Sequence, residues 1–209
     1  MLGIHDYWLF VATGVLLNLM PGQDTLYILG SSLAYGRRTG LASALGISAG
    51  CIVHTFAAAI GLSAILATSA TAFIAVKVAG AVYLIYLGVR AFTARTDVIS
   101  PLQHPTSTST GLAFRRGVLT NVLNPKVALF FLALLPQFID SDSPTKVGAF
   151  LGLGFTFVAT GTAWCLFLAV AAAHIRGFFV EHPRAFTHLS RASGALFVLL
   201  GLRLAASER

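Results

Sequence analysis

Two ionisable side chains stand inside apolar runs of this chain, each just past a proline: Asp24 in Asn18-Leu19-Met20-Pro21-Gly22-Gln23-Asp24, and Lys126 in Asn121-Val122-Leu123-Asn124-Pro125-Lys126. A carboxylate or an ammonium in apolar surroundings is costly to keep charged, so such groups pair with an opposite charge or serve function. The prolines add to this chemistry. Proline has no amide hydrogen and clashes with the preceding turn, which strands carbonyls before it and starts a new helix after it. Stranded carbonyls suit a cation. The new helix start, with free N–H groups and the positive end of a dipole, suits an anion.

Asp24 lies about 18 Å of helix from the loop at Gly36, the only acid so deep in an apolar run. It is expected to hold a substrate cation or to carry a coupling proton; the alternative is that it caps the half-helix after Pro21. Lys126 lies at similar depth, about 14 Å in from Gly117. It is expected to share the site as the charge partner of Asp24, or to form a purely structural salt bridge with it. Asn18, Asn121 and Asn124 flank the breaks, where they orient a substrate or satisfy carbonyls that the prolines free. With Pro21, Gly22, Gln23 and Pro125 they complete the candidate binding set. His54, three residues after Cys51 and on roughly the same helix face, is a candidate for proton coupling or for a bond to a neighbouring helix.

The elements that must position these residues are membrane spans. Of 209 residues 56% are hydrophobic and 10% charged, with mean hydropathy +0.83, too little charge to coat a soluble domain. A window of about 19 residues finds six spans near residues 7–30, 41–66, 71–92, 117–139, 147–175 and 189–206. The last keeps only a short uncharged core between Arg191 and Arg203, so five spans is the alternative unless both arginines snorkel to the interfaces. The first run has no basic flank before it and no small-residue cleavage site after it, which reads as a mature helix. Arg37, Arg38, Arg90, Arg95, Arg115, Arg116, Arg176, Arg184 and Arg191, nine of the 14 basic residues, fall in or beside alternate connections. The positive-inside rule makes those cytoplasmic and puts both termini outside. Topology and anionic lipid headgroups thus account for the net charge of +7 without a nucleic-acid partner.

A polar linker, about residues 94–114, separates a first half of about 1–93 from a second of about 115–209 within one transmembrane domain. The halves resemble each other. Gly80-Ala81-Val82-Tyr83-Leu84 with Leu87-Gly88-Val89-Arg90 recurs as Gly194-Ala195-Leu196-Phe197-Val198 with Leu200-Gly201-Leu202-Arg203, an offset of 113 (88 to 201) or 114 (80 to 194). Pro21 pairs with Pro125. Three spans per half point the repeats in opposite directions, so the expected fold is an all-α integral membrane protein, a 3+3 inverted repeat whose helices 1 and 4 are broken.

Pro21-Gly22-Gln23-Asp24-Thr25-Leu26, Tyr35-Gly36-Arg37-Arg38-Thr39-Gly40-Leu41, the run from Gly117 to Lys126, Leu129 to Phe138, and Ser193-Gly194-Ala195 together resemble the LysE/RhtB amino-acid exporters over essentially the whole chain. The resemblance implies efflux of amino acids or close derivatives from the cytoplasm, driven by the proton motive force, by a multi-pass protein of the bacterial plasma (inner) membrane that forms a homodimer and needs no cofactor. It departs at one place: the family's second proline, in Pro-Gly-Pro, is Gln23 here. A zwitterionic substrate has a carboxylate and an ammonium, which the broken helices and Asp24 would serve in place of water.

A rival function of another class comes from Cys51 and Cys165, 114 residues apart, which a membrane thiol-disulfide electron relay would bring together. Neither has a cation beside it in sequence to favour the thiolate. No phosphate loop, metal-spaced Cys or His cluster, or catalytic triad points to an enzyme.

Overall fold

The computed structural model describes residues 2–64, 70–93, 108–140 and 143–181, and 188, 191–192, 194–195, 198–199, 201–202 and 205–206 of the C-terminal stretch. Most of the polar linker, with Arg95, and the stretch holding Arg184 lie outside the described residues. The architecture is all-α. Its one departure is an isolated antiparallel bridge from Ile4 to Ile139.

Helix α1 (Tyr7–Leu19) stops where Pro21 forces the preceding residue out of helical geometry: Met20 is extended, at φ −64° and ψ 120°. After the extended Gly22, α2 (Gln23–Tyr35) runs to Gly36, whose φ of +84° is a backbone that side chains rarely adopt. That glycine turns the chain directly into α3 (Arg37–Ala57), and Gly40 of α3 packs so closely on Ser32 of α2 that a methyl would collide. The last turns of α3 widen over Ala58–Leu62.

Helix α4 (Ala70–Thr93) precedes α5 (Thr110–Val122), which Ser109 caps through its hydroxyl on the Leu112 amide. After Leu123 the chain restarts at Pro125, a residue suited to the first turn of a helix because its missing N–H is not needed there. The new helix α6 (Pro125–Leu129) loosens over Phe130–Leu134 and tightens over Leu135–Phe138, and its axis is bent 45° from that of α5. Helix α7 (Lys146–Glu181) is the longest among the described residues. By length and composition, Arg37–Leu62 and Lys146–Ala172 can each cross a membrane alone, and the bent pair of Thr110–Val122 with Pro125–Phe138 makes a third such unit. Trp8, Ile60, Leu123, Val82 and Leu199 all stand outward, the apolar exterior that lipid requires.

Glycines set the closest approaches. Gly46 and Gly117 bring α3 and α5 almost backbone to backbone. A Cβ on Gly88 would meet the Gly194 carbonyl at 2.6 Å and the Val198 side chain, while one on Gly201 would meet the Ala81 carbonyl at 2.9 Å and the Ile85 side chain. Subtracting 113 from 194, 198 and 201 gives 81, 85 and 88, so the second set of contacts repeats the first.

The N-terminal segment is tied to the segment after α6. His5 N–H donates to the Phe138 carbonyl, Asp140 N–H to the Gly3 carbonyl at 2.8 Å, and the Ser143 hydroxyl to the Leu2 carbonyl. At the other end, the Tyr27 hydroxyl donates to the Ala113 carbonyl, and Arg37, Arg38, Arg115 and Arg116 are all exposed nearby in sequence.

Candidate functional site

What the prolines leave undone, other side chains complete. In a regular helix the amide of residue 21 would bond the carbonyl of Leu17; Pro21 has no such hydrogen. Lys126 supplies it from across the molecule, its Nζ donating to the Leu17 carbonyl at 3.2 Å and to the Met20 carbonyl at 3.1 Å. Gly22 permits this reach, since a Cβ there would stand 3.2 Å from Nζ. The second break is repaired in the same way. Pro125 has no hydrogen for the Asn121 carbonyl, and His54 Nε2 lies 3.0 Å from that oxygen while its ring stacks on Phe131. A carbonyl only accepts, so Nε2 carries the hydrogen. The sequence offered the asparagines either to orient a substrate or to satisfy freed carbonyls; in the structure Lys126 and His54 reach these carbonyls, and that of Asn121 also accepts from the Asn124 amide at 2.9 Å.

The asparagines do other work. Asn124 caps α6, its Oδ1 accepting from the Lys126 amide at 3.0 Å. Asn121, almost fully buried, donates from Nδ2 to Asp24 Oδ2 at 2.9 Å. Asp24 therefore does not cap α2: Gly22 is the N-cap, without a side-chain bond, and the carboxylate turns across to α5. The expected contact between Asp24 and Lys126 is absent as well. Among the described residues the ion pair within bonding range is His5 with Asp6 at 3.6 Å, at the N-terminus.

Both charges instead line one cavity of about 30 Å³, together with Asn18 and Asn121. It has room for about a water or two, and it lies between two buried clusters. One contains Phe10, Phe130, Phe131, Phe138 and Phe157; the other contains Ile28, Ala44, Ile47 and Leu168. Phe157, whose ring stacks on that of Phe130 at 4.4 Å, is part of the lining. Four lining residues carry a buried polar atom with no partner among the described residues: Asn18 Nδ2, Trp164 Nε1, Asp24 Oδ1 and Asn121 Oδ1. Two donors and two acceptors, unused, face a space that two opposite charges also border. Leaving such groups unpaired is costly unless a polar partner, water included, enters the space.

Of the candidate binding set, Asn18, Asp24, Asn121 and Lys126 converge on the cavity. Pro21, Gly22, Asn124 and Pro125 shape the breaks behind it. Gln23 is exposed and outside the lining, and His54 stands one layer back behind Asn121. Cys51 and Cys165 both line the cavity as free, buried thiols. Sequence reasoning missed Thr25, Ser48, Thr162 and Trp164. A signal existed for two of them: the Thr162 hydroxyl donates to Ser48 at 2.8 Å, and these residues stand 114 apart, the spacing of the cysteines. No cluster able to hold a metal ion occurs among the described residues.

Comparison with known proteins agrees over nearly the full chain. The model of the LysE type translocator family matches residues 15–208. An uncharacterized membrane protein of Vibrio cholerae is 34% identical, with 98% of each chain covered. A homoserine/homoserine lactone efflux protein of Salmonella typhimurium is 32% identical, covering 97% of this chain and 98% of its own, and a leucine efflux protein of Salmonella choleraesuis is 28% identical over 99% and 97%. No solved structure matches. A matched family model across the apolar helices and both proline breaks leaves one assignment: this chain is a membrane protein that belongs to the LysE type translocator family.

Proposed function

We propose that the protein is a secondary-active exporter of an amino acid or a close derivative, coupled to the proton motive force, with its substrate held where the two proline breaks meet. The observation that carries this is the set of unpaired buried atoms around one cavity bordered by Asp24 and Lys126. A zwitterion fits it. Its ammonium goes to the free oxygens of Asp24 and Asn121, and its carboxylate to Asn18, Trp164 and the remaining N–H of Lys126. Efflux proteins for homoserine, its lactone and leucine among the relatives support the same class of substrate.

The cavity is far too small for an amino acid and must widen to load. Alternating access around this site is the cycle we propose, with the packed clusters on either side of the cavity as its gates. Each helix pair, α1 with α2 and α5 with α6, acts as one broken span. Two observations support an inverted repeat: the glycine contacts come as a pair, each the image of the other one repeat away, and Ser48 bonds Thr162, its own equivalent at the spacing of 114, as residues on a symmetry axis do. Asp24, with one oxygen free, is the proton carrier; His54, with Nε2 committed to a carbonyl, holds the second break. The thiol-disulfide relay gains nothing from relatives named for efflux, and transport is expected to survive Cys51→Ala/Cys165→Ala.

Expression in cells challenged with dipeptides or toxic amino-acid analogues tests this reading. Growth should be rescued, the amino acid should appear outside, and a protonophore should abolish both effects. Accumulation unchanged by expression across the whole panel would sink it.

A further inference from the structure

The chain's two cysteines divide between the two buried clusters. Cys51 belongs to the cluster of Phe131, Phe138 and Ile139, which reaches the end where the N-terminal segment is tied; Cys165 belongs with Ile28, Ala44 and Leu168, against which Tyr27 and Leu41 pack near the Gly36 turn. Both also line the cavity between the clusters, as free thiols. Register explains why they part. Helices α3 and α7 run antiparallel, since Thr55 meets Gly154 while Ser48, earlier in α3, meets Thr162, later in α7. Each cysteine lies three residues past its member of the Ser48–Thr162 pair, so the two leave that contact in opposite directions and stand about 9 Å apart along the helices. A disulfide needs Cα atoms within about 7 Å. The thiols therefore serve two gates rather than one bridge, and the unpaired atoms of Asn18, Asp24, Asn121 and Trp164 make the space between them one that water and a small polar reagent enter when a gate opens.

Resting on the alternating-access exporter proposed above, with its arginine end in the cytoplasm, we infer that Cys51 and Cys165 are separate modification sites for soft, thiol-seeking metal compounds, Cys51 reached from outside and Cys165 from the cytoplasm, and that either adduct arrests transport. With an organomercury chloride the thiol gives up its proton and the mercury its chloride as an S–Hg bond forms. Nothing is oxidised, and an excess of dithiol reverses the exchange. A cavity of about 30 Å³ has no room for the added group, so the gate beside it cannot close.

The test applies membrane-impermeant p-chloromercuribenzenesulfonate to wild-type protein in right-side-out and in inside-out vesicles, locates the adduct by peptide mass, and follows transport of the amino acid whose export the growth panel establishes. Reagent on the outer face should label Cys51 alone and slow transport by about tenfold or more. On the cytoplasmic face it should label Cys165 alone with the same effect, and dithiothreitol should restore the rate from either side. The outer effect should vanish in Cys51→Ala and the cytoplasmic effect in Cys165→Ala, each measured against its own untreated rate. Labelling needs no substrate, so sided labelling without export of any amino acid in the panel sinks the exporter role and leaves the two sites standing. Export with labelling that is absent, reversed or on both thiols from one face, or adducts that leave the rate within about twofold of untreated, overturns the inference and leaves the exporter role standing.

Discussion

At the scale of single residues, the site is a set of exchanges across two breaks. Lys126 replaces the amide that Pro21 lacks, and this explains a membrane-buried lysine without an acid beside it: two carbonyls and a neighbouring carboxylate across a small cavity share its charge. Lys126→Met removes the donor from Leu17 and Met20 and should cost about 1–3 kcal/mol of stability, seen as a lower melting temperature in detergent, together with loss of efflux. Gly22→Ala tests the same contact more gently, since its methyl would stand 3.2 Å from Nζ and push the ammonium off its carbonyls. His54 separates holding from proton transfer. His54→Ala should lower the melting temperature while the pH dependence of the remaining efflux keeps its shape; a flattened profile would return His54 to the proton path.

Among the elements, the breaks were legible because proline's missing hydrogen is a local fact, and so was the turn at Gly36. The polar partners were not. That Lys126 reaches the carbonyls of α1, and that Asp24 turns to Asn121 rather than capping its own helix, depends on how α1, α2 and α5 lie together, which periodicity does not encode. Gln23 shows the same limit: next to Asp24 in sequence, it is exposed and outside the cavity lining. Ser48 and Thr162 were within reach, since the spacing of 114 that singled out the cysteines also selects this pair. The bend of 45° at Pro125 is where an element-scale prediction belongs. Pro125→Ala restores an amide that competes with His54 for the Asn121 carbonyl. It should straighten and stabilise the α5–α6 pair, raising the melting temperature while slowing efflux by about tenfold or more, because a gate that gains helix loses its alternative state.

For the whole molecule, the expected orientation and the proposed symmetry rest on different observations. The N-terminus bonds to the segment after α6, so those two lie on one side; the Gly36 turn and the start of α5 meet at the other, where the exposed arginines gather. With the arginines inside, single cysteines placed at 143 in the Cys51→Ala/Cys165→Ala background should react with an impermeant thiol reagent added to intact cells, and cysteines placed at 37 or 115 should not. Gly88→Ala and Gly201→Ala probe the proposed repeat, since each methyl meets the same backbone neighbour one repeat away and each should cost about 1–3 kcal/mol. The central claim is that one site at the meeting of the two breaks couples an amino acid to protons through Asp24. Its most direct test is efflux from liposomes bearing wild-type protein or Asp24→Asn under an imposed inward proton gradient. The wild type should accelerate with the gradient and Asp24→Asn should be slow and indifferent to it. Asp24→Asn efflux at the wild-type rate, with the gradient dependence intact, would contradict the account.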